Sequence, residues 1–156
     1  MKGFALICVL QIAVFAVVAQ FPVQQRLTQY NLEKNEPAIQ GYDPVSYFMT
    51  GRPIKGRKEY GYSFQGILYR FSSQGNLNAF NKDPSKYEPQ YGGWCAYAMG
   101  NDGSKVDVDP ETFKVIDGKL YLFYNAFFNN TLKTWNKDQA ALKKKADQNW
   151  QKYYHP

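Results

Sequence analysis

The dipeptide Asp117-Gly118 constrains the fold of this chain more than any other pair. It lies between Phe113–Ile116 and Lys119–Tyr124. A two-residue loop of this kind takes positive φ at both positions and returns the chain on itself, which predicts an antiparallel hairpin. A second hairpin is predicted upstream. Tyr60, Tyr62 and Phe64 alternate with small or polar residues, Gln65-Gly66 follows, and Ile67–Phe71 runs back. From Asn125 onward the period becomes helical. Leu132, Trp135, Leu142, Ala146, Trp150 and Tyr153 step by three, four or seven, and Asn136 and Asp138 divide the stretch into two helices with one apolar stripe. That stripe needs a partner, and the hairpins supply it. The predicted class is α+β: a small single domain with two β-hairpins packed against short helices and a C-terminal amphipathic helical segment.

Punctuation elsewhere fits this plan. Gly41-Tyr42-Asp43-Pro44 marks a turn, with Asp43 placed to cap a short element over Val45–Phe48. Ser72 or Ser73 is placed to cap a helix carrying Leu77 and Phe80, which Asp83-Pro84 ends. Gly92 and Gly93 mark backbone that bends sharply or approaches another segment closely.

The ends set the expected compartment. Residues 1–19 read as a signal peptide: Lys2 gives the positive region, Phe4–Val18 the apolar run, and Val17 and Ala19 the small-residue positions before the cut. The apolar run is shorter than a membrane span and is interrupted by Gln11. No membrane span is expected after removal of the signal, and the expected location is extracellular, or periplasmic in a bacterium. Residues 20–37 read as a polar, extended N-terminal arm, and residues 38–154 as the folded domain. Of the two cysteines, Cys8 leaves with the signal, so only Cys95 remains and no disulfide within the chain is available. Stability must come from a core, for which aromatic residues at 17% provide large surfaces.

The formal charge of +6 selects acidic partners. Arg52, Lys55, Arg57 and Lys58 form a basic loop suited to an anionic glycan or surface, while secretion removes nucleic acid from the expected partners. Asn129-Asn130-Thr131 is an N-glycosylation sequon with Asn129 as acceptor.

Six segments in order resemble a known family. They are Gly41–Phe48, Tyr69–Ser73, Asn76–Phe80, Asp83–Tyr87, Pro89–Ala96 and Val115–Leu122. Together they are similar to YHS-domain proteins of the small exported type over about residues 38–151. The resemblance implies a compact fold, and some members of the wider group accompany metal-handling proteins. Metal-binding versions commonly use paired cysteines, whereas this chain keeps Cys95 alone.

The candidate chemistry centres on Gly92–Gly100. Cys95 and Met99 stand four residues apart, so on a helix both sulfurs face one side. A thiol and a thioether suit a soft metal such as copper as Cu(I). The alternative is a small cysteine beside a core methionine. Tyr91, Trp94 and Tyr97 are the candidate binding residues for a small ligand, or else core rings. A cysteine nucleophile needs a base, and the single histidine, His155, sits at the far terminus. No Gly-rich phosphate loop, paired-histidine motif or serine elbow is present. No catalytic residue is assigned. The resulting expectation is a secreted, non-enzymatic binding module for a soft metal or a small ligand near Cys95. The alternative is a structural or interaction protein with a structural Cys95 and an anion-binding loop 52–58, and the minor alternative is an uncharacterised enzyme.

Overall fold

A computed structural model describes residues 23–34 and 36–154. The expected signal peptide and His155 lie outside these residues. The elements are α1 (residues 23–29), α2 (Ser46–Met49), β1 (Arg57–Phe64), β2 (Ile67–Phe71), α3 (Gln74–Lys82) and α4 (Pro84–Tyr87). They continue with α5 (Ala96–Asn101), β3 (Asp109–Ile116), β4 (Lys119–Phe123), β5 (Asn125–Ala126), β6 (Asn129–Asn130), α6 (Thr131–Trp135) and α7 (Gln139–Trp150). The class is α+β, as the two periodicities require. Each consecutive strand pair forms its own two-stranded antiparallel sheet.

Both predicted hairpins form, each around a two-residue loop. Phe64 pairs with Ile67 across Gln65-Gly66, and Ile116 pairs with Lys119 across Asp117-Gly118. All four loop residues have positive φ, as a type I′ turn requires.

A repeat that the sequence reading missed organises the fold. The left-handed turns Ala38–Gly41 and Gln90–Gly93, strands β1 and β3, and strands β2 and β4 are each separated by the same 52 positions. The turns share their unusual backbone: Ile39, Gln40 and Gly41 have positive φ, as do Tyr91, Gly92 and Gly93. A proline precedes each, Pro37 and Pro89. Both long strands carry a register shift in the same place, between Arg57 and Gly61 and between Asp109 and Phe113. Farther on the spacing becomes 55, as Phe80-Asn81-Lys82-Asp83 recurs as Trp135-Asn136-Lys137-Asp138. Three residues have been added between the second hairpin and its helix.

The two halves build matching cores. Phe80 on α3 packs against Tyr69 and Phe71 of β2, with ring centroids 4.9 and 5.1 Å apart. Trp135 on α6 packs against Tyr121 and Phe123 of β4 at 6.0 and 5.5 Å. All six rings are buried. Because aromatic surface dominates both clusters, these contacts supply much of the hydrophobic drive for folding. The helical interruption expected at Asn136 and Asp138 is present, with α6 ending at Trp135 and α7 starting at Gln139.

Two expectations need correction. Residues 125–130 are a third hairpin rather than the start of a helix, and α6 begins only at Thr131, where the Asn130 side chain caps it by accepting from Leu132 N–H. The arm is helical over residues 23–29 rather than extended. It docks on the body through Arg26, which is only 3% exposed and ion-paired with Glu88.

Helices α5 and α7 cross closely at Gly100. A Cβ there would lie 2.4 Å from the Leu142 carbonyl oxygen and 3.0 Å from its carbon, both backbone atoms that cannot swing aside. Gly100→Ala is therefore expected to force the helices apart and cost about 2 kcal/mol, measured as a lower urea midpoint with an unchanged m-value.

Candidate functional site

Cys95 sits at the residue before α5, and 52 positions earlier Asp43 sits three residues before α2. The equivalence extends to their partners. Asp43 N–H donates to Ile54 O at 2.8 Å, and Cys95 N–H to Val106 O at 2.9 Å. The Asp43 carboxylate accepts from Ser72 N–H at 2.8 Å and from the Asn76 amide at 2.6 Å. The Cys95 sulfur accepts from Tyr124 N–H at 3.4 Å and lies 3.4 Å from the Thr131 hydroxyl. Ser72 and Tyr124 are separated by 52 positions, Asn76 and Thr131 by 55. Each half thus closes the same clasp, tying the turn before its short helix to the end of its hairpin. The first uses a carboxylate and the second a thiol.

A family model described as YHS domain matches residues 45–91. The matched segment, under a third of the chain, is similar to a YHS domain. It runs from the residue before α2 into the second left-handed turn, so the match covers the first repeat except its own left-handed turn and Asp43. Comparison with curated proteins and with solved structures gave no match. The YHS segment has Ser46 in its short helix, and the single thiol of the described chain, Cys95, falls beyond it.

Metal handling, which the YHS resemblance implies, can be tested on the donor set. Cys95 and Met99 are both fully buried. The sulfur of Cys95 lines neither cleft described below and packs in the core of the first half. Met99 belongs to the other core cluster. Among the described residues no group of three His, Cys, Asp or Glu side chains could hold a metal ion. These residues do not fit a metal centre, and no chemistry is routed through one.

The open space lies next to this segment. A cleft of about 210 Å³ is bounded by both left-handed turns, through Ala38–Gln40 of the first and Gly92-Gly93 of the second, and by Tyr30–Glu33 of the strap that follows α1. The strap is seated closely. Asn31 N–H donates to Gly92 O at 2.8 Å, and a Cβ on Gly92 would fall 2.8 Å from Trp150 and 3.0 Å from Tyr30. No residue but glycine fits that turn without displacing the strap. Tyr69 of β2 also lines the cleft, and its hydroxyl donates to Glu88 at 2.6 Å. Burial and the adjacent carboxylate hold the Tyr69 phenol well above its ordinary pKa, so it stays a neutral donor.

The sequence candidates divide among different places. Tyr91 is buried, donates to Asp147 at 2.8 Å and lines a second, more open cleft with Arg26 and Trp150. Burial first, and the bond to Asp147 second, raise its pKa. Trp94 donates its indole N–H to Gln29 O at 2.7 Å, which pins the end of α1. Tyr97 is half-buried between the two cores. Neither Trp94 nor Tyr97 lines a cleft described here. In the basic loop Arg52, Lys55, Arg57 and Lys58 are exposed. Lys55 is committed, donating to Gln40 O at 2.8 Å and lying 3.9 Å over the Tyr42 ring.

Of the cleft carboxylates, Glu33 and Glu36 were missed by sequence reading, and Asp107 was weighed there only as a hard metal ligand or an acid-base group, not as part of a cleft. Their signal was weak because they are carboxylates scattered through loops, and only the fold gathers them.

Proposed function

We propose that the protein is a non-enzymatic binding module that takes a small, positively charged ligand in the cleft between its two left-handed turns. One observation carries this reading. Glu33, Glu36 and Asp107 line the cleft, and no lysine or arginine lines it. No hydrogen bond or ion pair to these three carboxylates is found among the described residues. The walls below the rim are Tyr30, Tyr69 and aliphatic surface, which suits an organic cation that needs both charge compensation and aromatic contact. The YHS match supports a binding role in general terms, and the buried sulfurs favour a small ligand over a soft metal.

Thermal unfolding with choline, spermidine and, as an anionic control, acetate tests this. A cation at 100 times its dissociation constant stabilises by about 2.7 kcal/mol, a rise of roughly 5–10 °C for a chain of this size. The triple variant Glu33→Gln, Glu36→Gln, Asp107→Asn is expected to unfold within about 2 °C of the parent, since surface changes away from specific contacts cost little, and to lose the response. If no organic cation raises the midpoint at millimolar concentration, or acetate does so equally, the reading is wrong.

A further inference from the structure

The third hairpin departs from the rest of the fold in three ways. First, it lies where the second half has gained three residues. In the first half the chain passes from the end of β2 through Ser72 and Ser73 into α3, whereas in the second half β5 and β6 are inserted before α6. The clasp closes in both halves, through Asn76 in one and Thr131 in the other. The scaffold therefore does not need the hairpin.

Second, its loop has unfavourable residues. Ala126 pairs with Asn129, which leaves Phe127-Phe128 as the two-residue turn, with φ of 50° and 62°. The other two hairpins place glycine at the second of these positions. Bulky aromatic residues are rarely found in this backbone region, and strain of this kind persists where function holds it.

Third, the rings are bare. Phe127 is 92% exposed and Phe128 113%. Both are more exposed than any other large apolar side chain among the described residues, the next being Met49 at 68%, and neither takes part in a ring–ring contact found among the described residues.

We infer that the Phe127-Phe128 tip is a membrane-docking prong that inserts into the surface of an anionic lipid bilayer. The order of residues behind the tip matches the depth profile of such a surface. The apolar apex comes first. A collar of amides follows, from Asn125, Asn129 and Asn130. Exposed Lys133 and Lys137 come next, and the chain as a whole carries a formal charge of +6. Two acidic groups near the foot of the hairpin are committed within the protein, Asp109 accepting from Thr112 and Asn125 and Glu111 from the Tyr42 hydroxyl, while Asp138 beside Lys137 is exposed. A lipid surface accepts a convex pair of rings without a complementary pocket, and paired aromatic burial with basic neighbours gives reversible surface attachment. No helix among the described residues is long and apolar enough to cross a membrane, so the attachment is at the surface.

The test compares the parent with Phe127→Asn, Phe128→Gly in co-sedimentation with vesicles of phosphatidylcholine and phosphatidylserine at about 7:3. Asn-Gly is the preferred type I′ loop, so this variant is expected to unfold at or above the parent temperature while losing binding. Burial of each phenylalanine ring is worth about tenfold or more in partitioning, so the double change should lower binding about 100-fold. Pure phosphatidylcholine vesicles should bind the parent more weakly. The inference is overturned if the parent stays in the supernatant, if the variant sediments as the parent does, or if the variant is less stable, which would make the rings structural. It is also overturned if the parent self-associates through these rings in sedimentation equilibrium without binding vesicles, which would make a second copy the occupant.

Discussion

Asp43→Ala is expected to cost about 3–5 kcal/mol of folding stability, the sum of leaving several buried donors without their charged acceptor. The carboxylate is fully buried and accepts four hydrogen bonds, from Val45 N–H at 2.9 Å, Ser72 N–H at 2.8 Å, the Ser72 hydroxyl at 2.6 Å and the Asn76 amide at 2.6 Å. No other residue within reach is shown to replace it. Its loss detaches the turn before α2 from the end of β2 and from α3 at once, so three elements lose their common anchor. The midpoint of thermal unfolding should fall by roughly 10 °C. Cys95→Ser, the matching change in the second half, should cost only about 1 kcal/mol, because a thiol is a weaker acceptor and a hydroxyl can take its place. Similar losses from the two substitutions would show that the thiol holds its clasp as tightly as the carboxylate does, and would overturn this ranking. A loss below 1 kcal/mol for Asp43→Ala would remove the clasp as a stabilising device.

Legibility in the sequence followed the range of the interactions. Asp117-Gly118 and Gln65-Gly66 announced their hairpins because a two-residue turn is a local constraint, and the residues that satisfy it are few. The division at Asn136 and Asp138 was readable for the same reason. The Phe127-Phe128 hairpin was not, because its loop residues contradict turn chemistry and nothing local signals them. The repeat was hidden differently. Its halves share few residues, and the residues that fill equivalent places differ in chemistry: aspartate for cysteine, asparagine for threonine, phenylalanine for tryptophan. A comparison of the chain with itself at a spacing of 52 would have exposed the matched prolines and glycines, Pro37 with Pro89, Gly41 with Gly93, Gly51 with Gly103 and Gly66 with Gly118. That comparison also explains why Cys95 drew attention for the wrong reason. An unpaired thiol between glycines and aromatics resembles a site, but the fold uses it as the acceptor in a clasp. The cleft was partly legible. Gly92-Gly93 was singled out as a place of close approach, and it does bring backbone to the cleft wall. The acidic rim was not legible, since Glu33 and Asp107 are brought together by tertiary contacts alone.

Arg26→Ala is expected to release the strap, with a loss of about 3–5 kcal/mol, the range for removing one partner of a buried ion pair. The guanidinium is almost wholly enclosed. It pairs with Glu88, donates to the Tyr30 hydroxyl at 2.9 Å, and lies 4.5 Å from the centre of the Tyr30 ring and 5.5 Å from that of Phe64. Burial alone would lower its pKa, but hydrogen bonding and charge from Glu88 outweigh it and the net shift is upward, so the guanidinium stays charged. Glu88 in turn accepts from the Tyr69 hydroxyl, so the same carboxylate joins the strap to a residue of the cleft wall. Glu88→Gln keeps an acceptor for Tyr69 while removing the charge, and should cost less than Arg26→Ala. The double variant should lose less than the two single losses together, because each single change already breaks the same pair. The effect is local: faster trypsin cleavage at exposed Lys34 should accompany it, at a temperature where the body of the protein remains folded. Because Tyr30–Glu33 form one wall of the cleft, cation binding should weaken in step with strap release. Cleavage at Lys34 unchanged in Arg26→Ala would mean that Asn31, Gln29 and their partners hold the strap without the ion pair.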